Sequence, residues 1–76
     1  MEPSDSPLLE PVEYEERYER ALNMEDALAQ HNRAVELLAG AERDRATASD
    51  PQYDGIIRKL QQLERESGER VARKRR

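Results

Sequence analysis

The chain has 76 residues, of which 39% are charged and 36% are hydrophobic, and its formal net charge is -4. Without cysteine it can form no disulfide and offers no thiolate for metal binding or nucleophilic catalysis. No apolar run approaches the roughly 20 residues that a membrane-spanning helix needs, and no segment has the pattern of a signal peptide. We therefore expect at most one small domain.

The first eleven residues are acidic and rich in proline. Pro3, Pro7 and Pro11 recur every four residues, and no basic residue precedes Arg17. Proline at this spacing prevents a continuous helix, and the composition is typical of disorder. We predict a flexible acidic tail over residues 1–11.

The next segment has the apolar spacing of a helix. Steps of three, four and seven residues are the signature of one apolar stripe. They join Tyr14, Ala21, Met24, Leu28, His31, Val35 and Leu38. The pattern predicts a first helix over about residues 12–46.

A turn and a second helix follow. Ser49 or Asp50 can cap a helix with a side-chain oxygen, and Pro51 suits the first helical position, where no backbone N–H is needed. We predict a turn at residues 47–50 and a helix over about 51–73. Its apolar stripe is Tyr53, Ile56, Ile57, Leu60, Leu63, Ser67 and Val71.

Two such helices predict an all-α fold, an antiparallel, coiled-coil-like hairpin over residues 12–76. Residues 1–38 carry ten acids and three bases, whereas residues 39–76 carry seven acids and ten bases. An antiparallel pair therefore brings the acidic start of the first helix beside the basic end of the second. The expected hairpin core is Leu28, Val35, Leu38, Tyr53, Ile56, Leu60 and Leu63.

The predicted hairpin leaves apolar residues over. Its core is thin for a chain of this length, so we expect a partner protein or a second copy to supply the missing apolar contacts. The first helix is longer than the second, and some of its apolar residues point away from the stripe. The expected partner-binding residues are Tyr14, Tyr18, Leu22 and Leu37.

The sequence shows no pattern of catalytic, cofactor-binding or metal-binding residues. His31 is the only histidine and falls on the core-facing stripe, where a hydrogen-bonded structural role is the usual one. The carboxylates are scattered over solvated helix faces and form no acid–base pair. The three glycines are isolated, so no phosphate-binding loop is present. We expect a protein that is not an enzyme.

The basic end of the chain is the one feature that could contact nucleic acid. Arg70 is followed by Arg73, Lys74, Arg75 and Arg76, which would give weak, salt-sensitive phosphate binding. No aromatic residue lies among them to stack on bases, and cations also suit the C-terminal end of a helix dipole.

The start of the second helix carries a family resemblance. Asp50-Pro51-Gln52-Tyr53, followed by Leu60 and the Leu63-Glu64 pair, resembles the small YscE/PscE/SsaE-type proteins of type III secretion. The resemblance spans about residues 14–71. It implies a cytoplasmic co-chaperone that pairs with a tetratricopeptide-like helical chaperone and keeps a needle or translocator subunit soluble before export.

Three hypotheses about function result. The first is a non-enzymatic helical adaptor, such as a co-chaperone or assembly factor. The second is a self-associating structural module, a four-helix dimer in a bacterial or phage assembly. The third is a small nucleic-acid-associated protein that acts through its basic C-terminus.

Overall fold

The structure is a computed structural model that describes residues 9–74, and these fold into three α-helices without a strand. Helix α1 spans Pro11–Leu22, α2 spans Ala27–Ala48 and α3 spans Tyr53–Lys74. The all-α prediction is confirmed. The prediction of two helices is wrong, because the segment expected to be one helix over residues 12–46 is two.

The chain leaves the helical conformation between Asn23 and Asp26, where short polar side chains bind the backbone. The Asn23 side-chain amide donates to the carbonyl of Glu19 at 3.2 Å and so takes up an acceptor at the end of α1. The Asp26 carboxylate accepts the backbone N–H of Ala29 at 2.8 Å and caps the start of α2. Asn and Asp favour such local bonds over helix continuation, so the apolar spacing continues across a break in the backbone.

This break lets α1 fold back against the other two helices. Tyr14 in α1 bonds to Asp44 near the end of α2, whereas Ala21 accepts a bond from Gln30 near the start of α2, so α1 and α2 are antiparallel. Helix α1 runs in the same direction as α3, which it meets in the Lys59–Glu15 ion pair. The result is a three-helix bundle.

Helices α2 and α3 form the antiparallel pair. At one end the His31 ring lies 3.1 Å from the carbonyl oxygen of Glu64, and at the other end Arg45 pairs with Asp54. Ser49 ends α2 in the left-handed conformation, with φ of 54°. Asp50 accepts the N–H of Gln52 in the turn, so α3 begins at Tyr53 rather than at Pro51.

Buried positions on α2 are mostly small. They are spaced alternately by three and four residues, as in a heptad repeat, but only one of them is a large aliphatic residue. They are Ala27, Gln30, Ala34, Leu37, Ala41 and Asp44. The facing residues of α3 are larger: Tyr53, Ile56, Ile57, Leu60, Leu63 and Ser67. Alanine lets α2 approach both neighbouring helices closely while the tyrosines and aliphatic residues fill the space.

The phase predicted for α2 was therefore wrong by one residue. Leu28 is 50% exposed and Val35 is 40% exposed, although both were expected in the core. Leu38 is half-buried against the edge of the core, and the four expected residues of α3 are buried. The hydrophobic pattern predicts that the large aliphatic side chains of α2 face the core, but the face that carries its alanines packs against α1 and α3 instead.

Only the end of the predicted tail lies within the described residues; residues 1–8 fall outside them. Leu9 is half-buried, and its carbonyl accepts the Tyr53 hydroxyl at 2.6 Å. Glu10 caps α1, since its N–H donates to the Glu13 carboxylate at 2.9 Å, and Pro11 takes the first helical position.

Gly40 provides a test of how tightly α1 docks. A Cβ at this position would lie 2.9 Å from the Tyr14 hydroxyl, whereas a Cβ at Gly55 would meet nothing within 4 Å. Alanine favours a helix over glycine by about 1 kcal/mol. The added methyl displaces a clamped side chain at a cost of about 1–3 kcal/mol, so we expect Gly40→Ala to lower the free energy of unfolding by up to about 2 kcal/mol.

The matched control is Gly55→Ala, which should leave stability unchanged or raise it by up to about 1 kcal/mol. Urea denaturation of both variants at one protein concentration measures the difference. Equal stability changes in the two variants would contradict the close packing of Tyr14 on α2.

Candidate functional site

The residues predicted to bind a partner do not share one exposed surface. Tyr14 is 2% exposed and Leu37 is 6% exposed, because α1 folds onto α2 and α3. Tyr18 is half-buried, with the Lys59 ammonium 5.9 Å from its ring centre. Only Leu22, at 47%, is well exposed. The expectation that Tyr14 and Leu37 were exposed was wrong.

Tyr14 instead anchors α1 to the bundle. Its hydroxyl donates to the Asp44 carboxylate at 2.5 Å, and its ring packs edge-on against that of Tyr53, with centres 6.1 Å apart. Burial and the bond to Asp44 raise the pKa of Tyr14 well above its usual range. Asp44 is 3% exposed. Its other oxygen lies 3.6 Å from Nε of the exposed Arg43, so Tyr14 supplies the close hydrogen bond that compensates its burial.

Gln30 fastens the other end of α1. Its side-chain amide donates to the carbonyl of Ala21 at 2.8 Å and to that of Leu22 at 3.4 Å, two acceptors that the end of a helix leaves unused. Its own carbonyl oxygen, Oε1, is buried without a partner among the described residues. Gln30 lies at the base of a groove between the end of α1 and α3 that is otherwise lined mainly by charged side chains.

Two exposed aliphatic residues of α2, Leu28 and Val35, lie on the side of the α2–α3 pair away from α1. We call that side the open face. Gly40 of α2 and Lys59 of α3 mark the side that α1 covers. Residues that are not buried and lie about 120–180° around each helix from that side, at 100° per residue, form the open face: Leu28, His31, Val35, Leu38, Glu42, Arg45 and Ala46 on α2, and Asp54, Gln61, Glu64, Arg65, Gly68, Val71 and Ala72 on α3.

The two helices meet closely along this face. Leu28 and Val71 line one shallow depression of about 170 Å³ together with Asp26, Ala27 and Lys74. A Cβ at Gly68 would lie 3.2 Å from the His31 ring, so the ring covers the backbone of α3 there. His31 also contacts the Ser67 hydroxyl at 3.2 Å. It serves to join the two helices.

The open face carries both apolar and charged side chains. Its charged residues are Glu42, Arg45, Asp54, Glu64 and Arg65, of which Arg45 and Asp54 pair with each other across the two helices. Its exposed large apolar side chains are Leu28 and Val35, which are 50% and 40% exposed.

A feature of the sequence could have revealed this face. Helix α2 carries apolar residues on both its buried and its exposed sides, and α1 also exposes Val12 and Leu22. Leu28 and Val35 are seven residues apart and follow the buried Ala27 and Ala34 by one position, so they form a second stripe beside the buried one. The single stripe sought in α2 obscured the second one.

The other sequence features gather no chemical site. Among residues 9–74, no group of three or more potential ligands is placed to hold a metal ion. In the basic end, Arg73 lies 3.8 Å from Glu69, so cations and acids alternate on the surface of α3; Arg75 and Arg76 lie outside the described residues. No helix in the described part of the chain is long and apolar enough to cross a membrane.

Comparison with known proteins adds no relative: no family model matches the chain, and neither the curated proteins nor the solved structures contain a match.

The hydrogen bond from Tyr14 to Asp44 can be tested by removing its donor. Tyr14→Phe removes the donor and leaves a buried carboxylate without it, which should cost about 1–3 kcal/mol of unfolding free energy at pH 8. Tyr18→Phe, which removes only the hydroxyl of a half-buried ring, should change stability by less than about 0.5 kcal/mol. Urea denaturation compares the two variants.

The same contact should weaken in alkali. Because folding raises the pKa of Tyr14 above its ordinary 10.0, the unfolded chain releases this proton first. The stability is thus fully present below pH 10 and declines above it. Between pH 8 and 11 the native chain should lose more stability than Tyr14→Phe, and equal losses would show that Tyr14 is not protected in the fold.

Proposed function

We propose that the protein is a non-enzymatic helical interaction module of the cytoplasm. It associates through the open face with helices of a second protein chain. The supporting observation is the exposure of Leu28 and Val35 on a helix whose other side is already buried in the bundle. Binding a helical layer there would cover α2 on both sides and add apolar contacts to a thin core.

The chemistry of the face suits helix packing. Leu28 and Val35 are seven residues apart and therefore lie on the same side of α2. Beside them the α3 surface contributes Val71, Gly68 and Gln61. A groove between two antiparallel helices that exposes apolar side chains is a surface that can receive an amphipathic helix in protein recognition.

The co-chaperone role implied by the family resemblance is a special case of this proposal. Its partner, a tetratricopeptide-like chaperone, is helical and would present helices to the open face. The resemblance assumed one hairpin of two helices, whereas the motif from Asp50 to Tyr53 lies in the α2–α3 turn of a three-helix bundle. The motif therefore describes only the turn between α2 and α3, and this turn is all that supports the co-chaperone role.

A site-specific photocrosslinker tests the association. We expect a benzoylphenylalanine at Val35 to give a crosslinked protein product in the source cells. The control is benzoylphenylalanine in place of Val12, which is 59% exposed but lies on α1. The yield of crosslinked product should be higher from the Val35 position than from the Val12 position, because only the open face contacts a partner.

Equal crosslinking at Val12 and Val35, or none at Val35, would contradict the proposal. The mass of the product also identifies the class of partner, since two copies of the 8.8 kDa chain differ from an adduct with a foreign protein.

A further inference from the structure

We propose that a cleft between α1 and α2 is a binding site for a phosphate dianion. The cleft encloses about 160 Å³, and we call it the arginine cleft. Its lining residues are Arg17, Arg20 and Arg33 with Ala21 and Met24. Arg33 lies about 160° around α2 from Val35, at 100° per residue. The site is therefore away from the open face and does not depend on the function proposed for that face.

The charged residues that line the arginine cleft are all of one sign. Two other depressions of the described surface carry both signs: one holds Asp26 beside Lys74, and the groove at Gln30 holds two glutamates beside two arginines. Three guanidinium groups in one cleft repel one another, and an anion placed between them relieves this repulsion. Although the chain has a net charge of -4, the cleft is thus a local region of positive potential.

Arg17 and Arg20 do not pair with the glutamates that the helix spacing offers them. Glu13 and Glu16 precede the two arginines by four residues, which is the spacing of stabilising ion pairs on a helix. Within residues 9–74, however, neither arginine forms an ion pair with its glutamate. The Glu13 carboxylate accepts the N–H of Glu10 instead, at 2.9 Å. Both arginine side chains line the cleft.

The two arginines of α1 do not cap the end of their helix either. Cations near a helix C-terminus commonly bond the last carbonyls, but other donors serve this end of α1. The Asn23 side-chain amide donates to the carbonyl of Glu19. The Gln30 amide donates to those of Ala21 and Leu22. Within the described chain, the guanidinium donors of α1 therefore remain available to a ligand.

Arg33 brings the third guanidinium group from α2. Its Nη1 lies 3.9 Å from Oε1 of Glu36, and the two side chains are 51% and 72% exposed. Such an exposed contact contributes little, so an anion in the cleft competes with it easily. Ala21 is buried and forms the floor between the two helices. An anion above this floor lies between arginines that come from both sides.

Size and charge select the ligand. Pockets that enclose whole organic ligands have about 300–1,000 Å³, so the arginine cleft accommodates a single chemical group. A carboxylate has two oxygens and one negative charge, which one guanidinium group satisfies. A phosphate dianion carries more acceptor oxygens and about two charges, and arginine matches its geometry with two parallel hydrogen bonds. A phosphate dianion can therefore accept from all three arginines at once.

The test follows the Nε–Hε signals of Arg17, Arg20 and Arg33 by NMR while inorganic phosphate is added to the full chain. The titration is made at pH 8, where phosphate is a dianion. It extends to about 50 mM at an ionic strength held constant with sodium chloride, so that screening does not change. We expect saturable shifts of all three signals. Arg33→Gln should raise the dissociation constant about 10-fold, since one charge-assisted contact is lost.

The matched control is Arg58→Gln, which removes the same charge from the exposed side of α3. It should change the dissociation constant by less than about 2-fold, because the lost charge is screened and distant from the cleft. Circular dichroism should show equal helicity in both variants, which separates loss of binding from unfolding. Shifts that do not saturate would overturn the proposal. Equal effects of the two substitutions would also overturn it, because they would show only a general attraction of anions.

Phenyl phosphate distinguishes a phosphate ester from free phosphate. Met24 is half-buried and gives the cleft an apolar wall. Tighter binding of phenyl phosphate than of inorganic phosphate, lost in Met24→Ser, would identify an ester as the ligand, whereas equal binding would identify free phosphate. Acetate that binds as tightly as either phosphate would overturn the assignment of a dianion.

Discussion

The hydrogen bond between Tyr14 and Asp44 determines which surfaces of this small bundle are available. It fixes the start of α1 on the end of α2, with the Tyr14 ring against Tyr53 and its hydroxyl above Gly40. Gln30 holds the other end of α1. With α1 fastened at both ends on one side of the α2–α3 pair, the opposite side is left as the open face. A short helix thus decides where a partner can bind.

Polar contacts hold α1 in place because α2 contributes few large apolar residues to the core. The alanines at positions 27, 34 and 41 give close approach but little buried area, so positioning falls to Asp44 and Gln30 at the ends of α1. A buried carboxylate is stabilising only while its donor is present. The docking of α1 therefore depends on Tyr14 being protonated and in place, and the same dependence makes the fold sensitive to alkali.

The sequence predicts the helical class and the start of a separate C-terminal helix, because Asp50-Pro51 interrupts the pattern and the stripe of α3 combines tyrosine, isoleucine and leucine on one side. It misleads in the first half for two physical reasons. The spacing from Tyr14 to Leu38 crosses Asn23 and Asp26 without interruption, although their side chains end one helix and begin the next. The larger residues Leu28 and Val35 outweigh the alanines in a hydrophobic pattern, yet packing between three helices favours the small side. The open face is visible in the sequence only as the excess of apolar residues on α2.

The central claim is that Leu28 and Val35 lie on a surface that becomes covered when the chain associates. Hydroxyl-radical footprinting read by mass spectrometry measures the exposure of individual side chains in the dilute purified chain and in the source cells. The account predicts that Leu28 and Val35 are labelled in the dilute chain and protected in the cells, while Leu22 is labelled equally in both. Protection of Leu28 and Val35 in the dilute chain would contradict the fold, and equal labelling in the two samples would contradict the association.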